Sequence, residues 1–213
     1  MVAKPSGLAV HRGMSREKIV VLQLVRNLLG RHVYPVHRLD RATSGALLLA
    51  LDSATARRLQ EQWESGGVEK RYWALVRGIP PESGVIDSPV PRSLHGPRVP
   101  AVTEYRRLAA FERYALVEAR PLTGRLHQIR RHFKHISHPL IGDVRYGKGE
   151  HNRLFRERFG LHRLALHAVS LEFTHPATGE RLRIVAPVPE DLAGVLQVLG
   201  MAPHTGTASP KIR

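Results

Sequence analysis

Cysteine is absent from the 213 residues. This excludes disulfide stapling, thiolate catalysis, zinc ribbons and iron–sulfur clusters, and it fits a reducing compartment. Aromatic residues are scarce at 6%, and no apolar run approaches the roughly 20 residues a membrane-spanning helix needs. The N-terminal MVAKPSGLAVHRG has no apolar leader core. A soluble, cytoplasmic protein with no membrane partner is therefore expected. Signature loops are missing too. Without a Walker A loop, a GxGxxG turn, a GxSxG elbow or an HExxH helix, nucleotide hydrolysis, dinucleotide redox chemistry and serine hydrolysis lose their usual marks. What the chain does have is 42% hydrophobic residues, enough for the core of one large domain.

Acid is the scarcer charge. Against 18 Asp and Glu stand 33 Lys and Arg, a formal net charge of +15, so the preferred partner is a polyanion. Residues 120–167 hold 11 of the basic residues and only 3 of the acids, with 7 of the 13 histidines. An arginine-dominated run interrupted by apolar residues points to phosphate contact, with affinity that falls steeply as salt rises.

Periodicity outlines the elements. A helix is expected over residues 15–29, capped by Ser15 and stopped by Gly30, then a buried strand over 45–51 and a helix over 53–65. Strands follow over 68–78, 85–90, 102–108 and 114–120. After Thr123-Gly124, the spacing of Leu126, Ile129, Phe133 and Ile136 predicts an amphipathic helix. A short helix over 152–159, strands over 164–173 and 181–185, and a last helix over 189–199 complete the chain. Mixed elements without regular βαβ repetition indicate an α+β fold with a mixed, largely antiparallel sheet and flanking helices. Residues 1–200 are expected to form one domain and 201–213 a disordered tail. His132, His135 and His138 recur at a spacing that metal sites use. His138 precedes Pro139, however, and no carboxylate completes the set, so these histidines are assigned to an RNA-facing or capping surface and no metal is expected.

The most informative string is Val36-His37-Arg38-Leu39-Asp40-Arg41-Ala42-Thr43-Ser44-Gly45. Arg38 and Arg41 surround Asp40 with positive charge that favours its carboxylate form. An Asx-turn or a surface ion pair would explain an arbitrary loop aspartate equally well. This string, however, resembles the HRLDxxTSG signature of the RluA-type pseudouridine synthases. Five further blocks resemble the same family in the same order. They are Lys4-Pro5-Ser6-Gly7-Leu8, the strand from Lys70 to Gly78, Leu122 to Arg130, His138 to Asp143, and Leu166-His167-Ala168. The segment from Asn152 to Leu161 is similar to the tRNA pseudouridine(65) synthase branch.

The resemblance implies a pseudouridine synthase catalytic fold with a central basic cleft, and an isomerase that turns a flipped uridine into pseudouridine. Its catalytic residues would be Asp40, Tyr72, which stacks on the uracil, and Arg130, which pairs with the aspartate. Arg38 would fill the gap left by the extruded nucleotide. RNA contacts would include Arg41, Arg125, His127, Arg131, Lys134, Arg153 and Arg156. Nothing is oxidised and no group enters or leaves, so no cofactor is expected. Whether Asp40 forms a covalent ribosyl adduct or abstracts a ribose proton stays open. The expected substrate is tRNA, acted on at uridine 65 by a monomer. The alternatives are 23S rRNA, both RNAs, or a silent RNA-binding protein of the same fold. Family members carry a strand and turn ahead of KPSG, so the first strand is expected to be missing, either because the start is assigned too late or because the sheet has a shortened edge.

Overall fold

A computed structural model describes residues 1–13, 19–93 and 96–202. The strands are β1 (Val2–Lys4), β2 (Tyr34–Pro35), β3 (Ser44–Leu47), β4 (Leu49–Ala50), β5 (Glu69–Arg77), β6 (Ser83–Asp87), β7 (Val90–Pro91), β8 (Arg98–Val99), β9 (Val102–Phe111), β10 (Tyr114–Pro121), β11 (Leu166–Thr174) and β12 (Arg181–Val185). The helices are α1 (Val21–Leu29), α2 (Ser53–Glu64), α3 (Gln128–His135), α4 (Gly149–Phe159) and α5 (Glu190–Val198). Eight strands form one sheet in the order β1-β3-β11-β5-β10-β9-β6, with β12 beside β11. All of its pairings are antiparallel except β3 with β11.

The period-2 alternation of β5 decides what lies on each face. Trp73 and Leu75 join Phe155 of α4 and Leu192, Val195 and Leu196 of α5 in one core. Tyr72, Ala74 and Val76 face the other way and pack with Ala115, Val117 and Ala119 of β10 against Ile129 and Phe133 of α3. Alanines at three of these positions leave room for α3 to lie close to the sheet. That closeness brings the polar residues of α3 within reach of the β2–β3 loop.

The expected elements formed, with five main differences, the first being that the helix expected over 15–29 starts only at Val21, with Val20 before it extended and no side-chain cap. Where no first strand was expected, Val2–Lys4 make one, a short sheet edge paired with Gly45–Leu47. The expected strand over 45–51 breaks at Leu48, whose N–H donates to His37 Nε2 at 2.9 Å, and the chain moves from β3 to a small pairing with β2. Residues 123–127 are a turn, so the helix begins at Gln128 and Leu126 lies outside it. Met201, expected in the tail, is 1% exposed in the α5 core. Ser15 and residues 203–213 lie outside the described residues.

Gly45 sits at φ +123° where β3 meets β11, and a Cβ there would overlap the Ala168 backbone. Gly45→Ala is expected to force the two strands apart and lower the unfolding free energy by about 3 kcal/mol or more. Urea denaturation of the two proteins measures this directly.

Candidate active site

Asp40 lies in the turn between β2 and β3, where its carbonyl accepts the Thr43 N–H at 3.0 Å. The N-terminal segment clamps this turn from behind. Lys4 is 1% exposed, and its ammonium donates to the carbonyls of Pro5 at 2.7 Å, Leu8 at 2.7 Å and Arg41 at 3.1 Å. Gly7 N–H also donates to Arg41 O, and Ser6 Oγ donates to Ala42 O at 2.7 Å. The KPSGL block therefore fixes the loop that carries Asp40. Lys4→Met would strand these part-buried acceptors, and an unmade buried hydrogen bond costs about 1 to 3 kcal/mol. A fall of about 3 kcal/mol in unfolding free energy is expected from urea titration, along with reduced activity in the folded fraction.

The partner of Asp40 comes from α3, ninety residues on. Arg130 Nη1 donates to Asp40 Oδ2 at 3.1 Å, while its Nε and Nη2 grip the two oxygens of Asp143 at 2.8 and 3.0 Å. The Asp143 side chain is fully buried, and its Oδ1 also accepts the backbone N–H groups of Arg145 and Tyr146. Burial opposes its ionisation, but the Arg130 bonds and charge hold its carboxyl below the ordinary 3.8. Asp143 thus orients Arg130 bidentately, and Arg130 aims one remaining N–H at Asp40.

His127 stands beside this chain in left-handed backbone, φ 53°, just ahead of α3. Gln128 holds it there by bonding Thr103 Oγ1 and Val102 O and by accepting from Arg125 N. Its Nε2 is 3.8 Å from Asp40 Oδ2, and its Nδ1 meets the Tyr146 hydroxyl at 3.0 Å. Burial lowers its pKa, with the nearby arginines adding to the effect and Asp40 opposing it, so the ring is neutral at neutral pH. The facing carboxylate favours the proton on Nε2, leaving Nδ1 to accept from Tyr146.

Asp40, Arg130 and His127 line a cavity of about 660 Å³, together with Tyr72, Lys70, Arg38, Arg125, Leu126 and Leu166. Burial, then the charge of Asp40, pushes the Tyr72 phenol well above its ordinary pKa, so it stays neutral. At the other end His37 stacks on Trp63 at 4.6 Å. Burial, then the Lys70 charge, lowers its pKa to about 3, which suits its role as acceptor for Leu48. The cavity therefore pairs an anchored carboxylate and an aromatic phenol with a basic rim, dimensions and chemistry suited to one flipped nucleobase.

The structure brings together the three residues expected to be catalytic, and with them Arg38, Arg125 and His127. Arg131 and Lys134 face a neighbouring cavity on the other side of α3. Arg41 is exposed beside Asp40 and lines neither cavity, and Arg153 and Arg156, exposed on α4, also line neither. Of the histidine series only His135 is exposed, where it lines the neighbouring cavity. His132 is fully buried, with Nδ1 against Thr103 Oγ1 and Nε2 against Ser88 O, both at 2.9 Å, and it braces α3. His138 Nδ1 is occupied by Arg77 O at 3.0 Å. Asp143 and Tyr146 were not expected as site residues. The available signal was that Asp143 ends the block His138 to Asp143 and is one of three acids in the basic stretch.

Comparison with known proteins gives the same picture. Residues 1–135 match the RNA pseudouridylate synthase family. A protein named tRNA pseudouridine synthase C from Pectobacterium carotovorum subsp. carotovorum is 45% identical over 93% of this chain, which spans 59% of that relative's length. Its namesake from Salmonella typhi is also 45% identical over 93% of this chain, with 85% of its own length covered. Among solved structures, the human RNA Pseudouridylate Synthase Domain Containing 4 aligns with a TM-score of 0.75 at 30% identity, over 92% of this chain and 88% of that one. With the family matched across more than half of the sequence and relatives at this identity, the chain belongs to the RNA pseudouridylate synthases, in the RluA group whose motifs it carries.

Proposed function

We propose that this protein isomerises uridine 65 of tRNA to pseudouridine, with Asp40 as the reacting carboxylate, acting as a monomer without a cofactor. The observation that carries the reading is the Asp143–Arg130–Asp40 chain ending in a cavity that Tyr72 also lines. Relatives named tRNA pseudouridine synthase C support tRNA as the substrate.

The reaction breaks the ribose C1′–N1 bond, turns the uracil, joins C5 to C1′, and transfers the C5 proton away as N1 regains one. Electrons balance within the nucleotide. Asp40 starts and ends as a carboxylate, whether it bonds C1′ or takes a ribose proton. Arg130 keeps it aimed, and neutral Tyr72 offers a flat surface to the turning base. Arg38, at the rim, replaces the extruded nucleotide in the stack.

Carbodiimide-based primer extension on unmodified tRNA and 23S rRNA transcripts tests this. A single new stop at tRNA position 65 is expected with wild type and none with Asp40→Asn. A stop only in rRNA would keep the chemistry and overturn the substrate, and no stop in either RNA would overturn both.

A further inference from the structure

The second cavity, about 400 Å³, lies between α3, the β7–β8 hairpin and the Arg145-Tyr146 turn. Its size falls within the roughly 300 to 1,000 Å³ typical of small-ligand clefts. Arg98, Arg131, Lys134 and Arg145 all line it, and no Asp or Glu among the described residues does. The Arg131, Lys134 and Arg145 cations stand 5.7, 6.0 and 5.7 Å from the centre of the Tyr146 ring, with Arg130 at 5.1 Å. Asp143, the nearest buried acid, is already bound to Arg130. Like charges gathered this closely repel one another, and the ring quadrupole offsets only part of that. An anion would relieve the remainder.

One of these cations is held ready. Arg131 Nε donates to the Tyr146 oxygen at 3.0 Å and Nη1 to Pro91 O at 3.2 Å, which fixes the plane of the guanidinium. A fork fixed in this way loses less freedom on gripping a phosphate than a mobile one. The cavity also shares walls with the Asp40 cleft. Arg130 and Arg131 are neighbours on α3 that open into different cavities, and the β7–β8 segment gives Arg92 and Ser93 to one and Pro91 and Arg98 to the other.

We infer that this cavity is a phosphodiester-binding pocket for the same RNA strand that delivers its uridine to Asp40, taking a backbone phosphate within a few nucleotides of the target. The inference rests on the functional reading above and adds to it a second fixed point on the strand. Two anchored points set the register of the RNA without reading a base.

The test is tRNA binding by wild type, by Arg98→Gln combined with Arg145→Gln, and by a control of equal charge loss on β12, Arg181→Gln combined with Arg183→Gln. All four residues have exposed side chains or sit at a strand edge away from the core. The pocket variant is expected to raise Kd at least about tenfold over the control and to lower the salt slope by about two, one for each lost phosphate contact. Neutral methylphosphonate linkages, placed one at a time across the T arm of the transcript, locate the contact. One or two adjacent linkages should weaken wild type and leave the pocket variant unaffected. Equal Kd and slope in pocket variant and control, or weakening by every linkage to the same extent in both proteins, overturns the pocket. Because the readout is binding, the two readings fail separately. Coupled linkages without pseudouridine sink the function and keep the pocket, while pseudouridine without coupling sinks the pocket alone.

Discussion

Asp40→Asn is expected to abolish pseudouridine formation, lowering the single-turnover rate by about four orders of magnitude or more, while tRNA affinity changes by less than about threefold. The amide matches the carboxylate in shape and keeps an oxygen to accept from Arg130 Nη1, so the turn has no reason to rearrange. It has neither the charge to bond C1′ nor the basicity to take a ribose proton. Arg130 stays compensated, because Asp143 alone holds it with two bonds. Residual activity above about one per cent of wild type would show that the carboxylate of Asp40 does not carry the chemistry.

Removal of Asp143 should act on both stability and rate. Asp143→Ala leaves a largely buried guanidinium without its main counter-charge, and breaking a buried pair from one side costs about 3 to 5 kcal/mol. The rate should also fall by about a hundredfold, since Asp40 would then face a guanidinium free to turn toward it or away. Acid dependence separates this from general loosening. The folded pKa of Asp143 lies below 3.8, its ordinary value. Its ionisation therefore contributes stability above pH 3.8, and that contribution is lost as pH falls through the lower folded value. Wild type should lose stability over this acid range more steeply than Asp143→Ala. Urea midpoints that run parallel between pH 2 and pH 5 would remove Asp143 from the account.

The sequence revealed much of this site because several of its chemical residues lie in short contiguous strings. Asp40 sits in a turn whose neighbours announce it, and Tyr72 sits in a strand whose alternation fixes its face. Arg130 sits on a helix whose apolar positions, Ile129 and Phe133, were readable from their spacing. Asp143 and Tyr146 were harder, because their roles depend on partners that only the fold brings to them, Arg130 for the one and His127 and Arg131 for the other. The stripe through Leu126 misled for a related reason. Spacing of three or four suits a helix and also suits a turn that Gln128 pins by its side chain. The break at Leu48 had no composition signal at all, since it is made by the His37 ring replacing a ladder partner.

The place of β11 in the sheet bears on how the molecule is made. It lies between β3 and β5, yet its first residue comes 89 positions after the last of β5 and 119 after the last of β3. A chain emerging from the ribosome therefore carries two strands whose facing edges have no occupant until most of the protein has been synthesised. Pairing at such sequence separation is slow to form, and until it forms Gly45 has no Ala168 to lie against. The loop bearing Asp40 gains one of its two fixed sides only with that late insertion, so nascent fragments should bind RNA through their charge before they acquire a working centre.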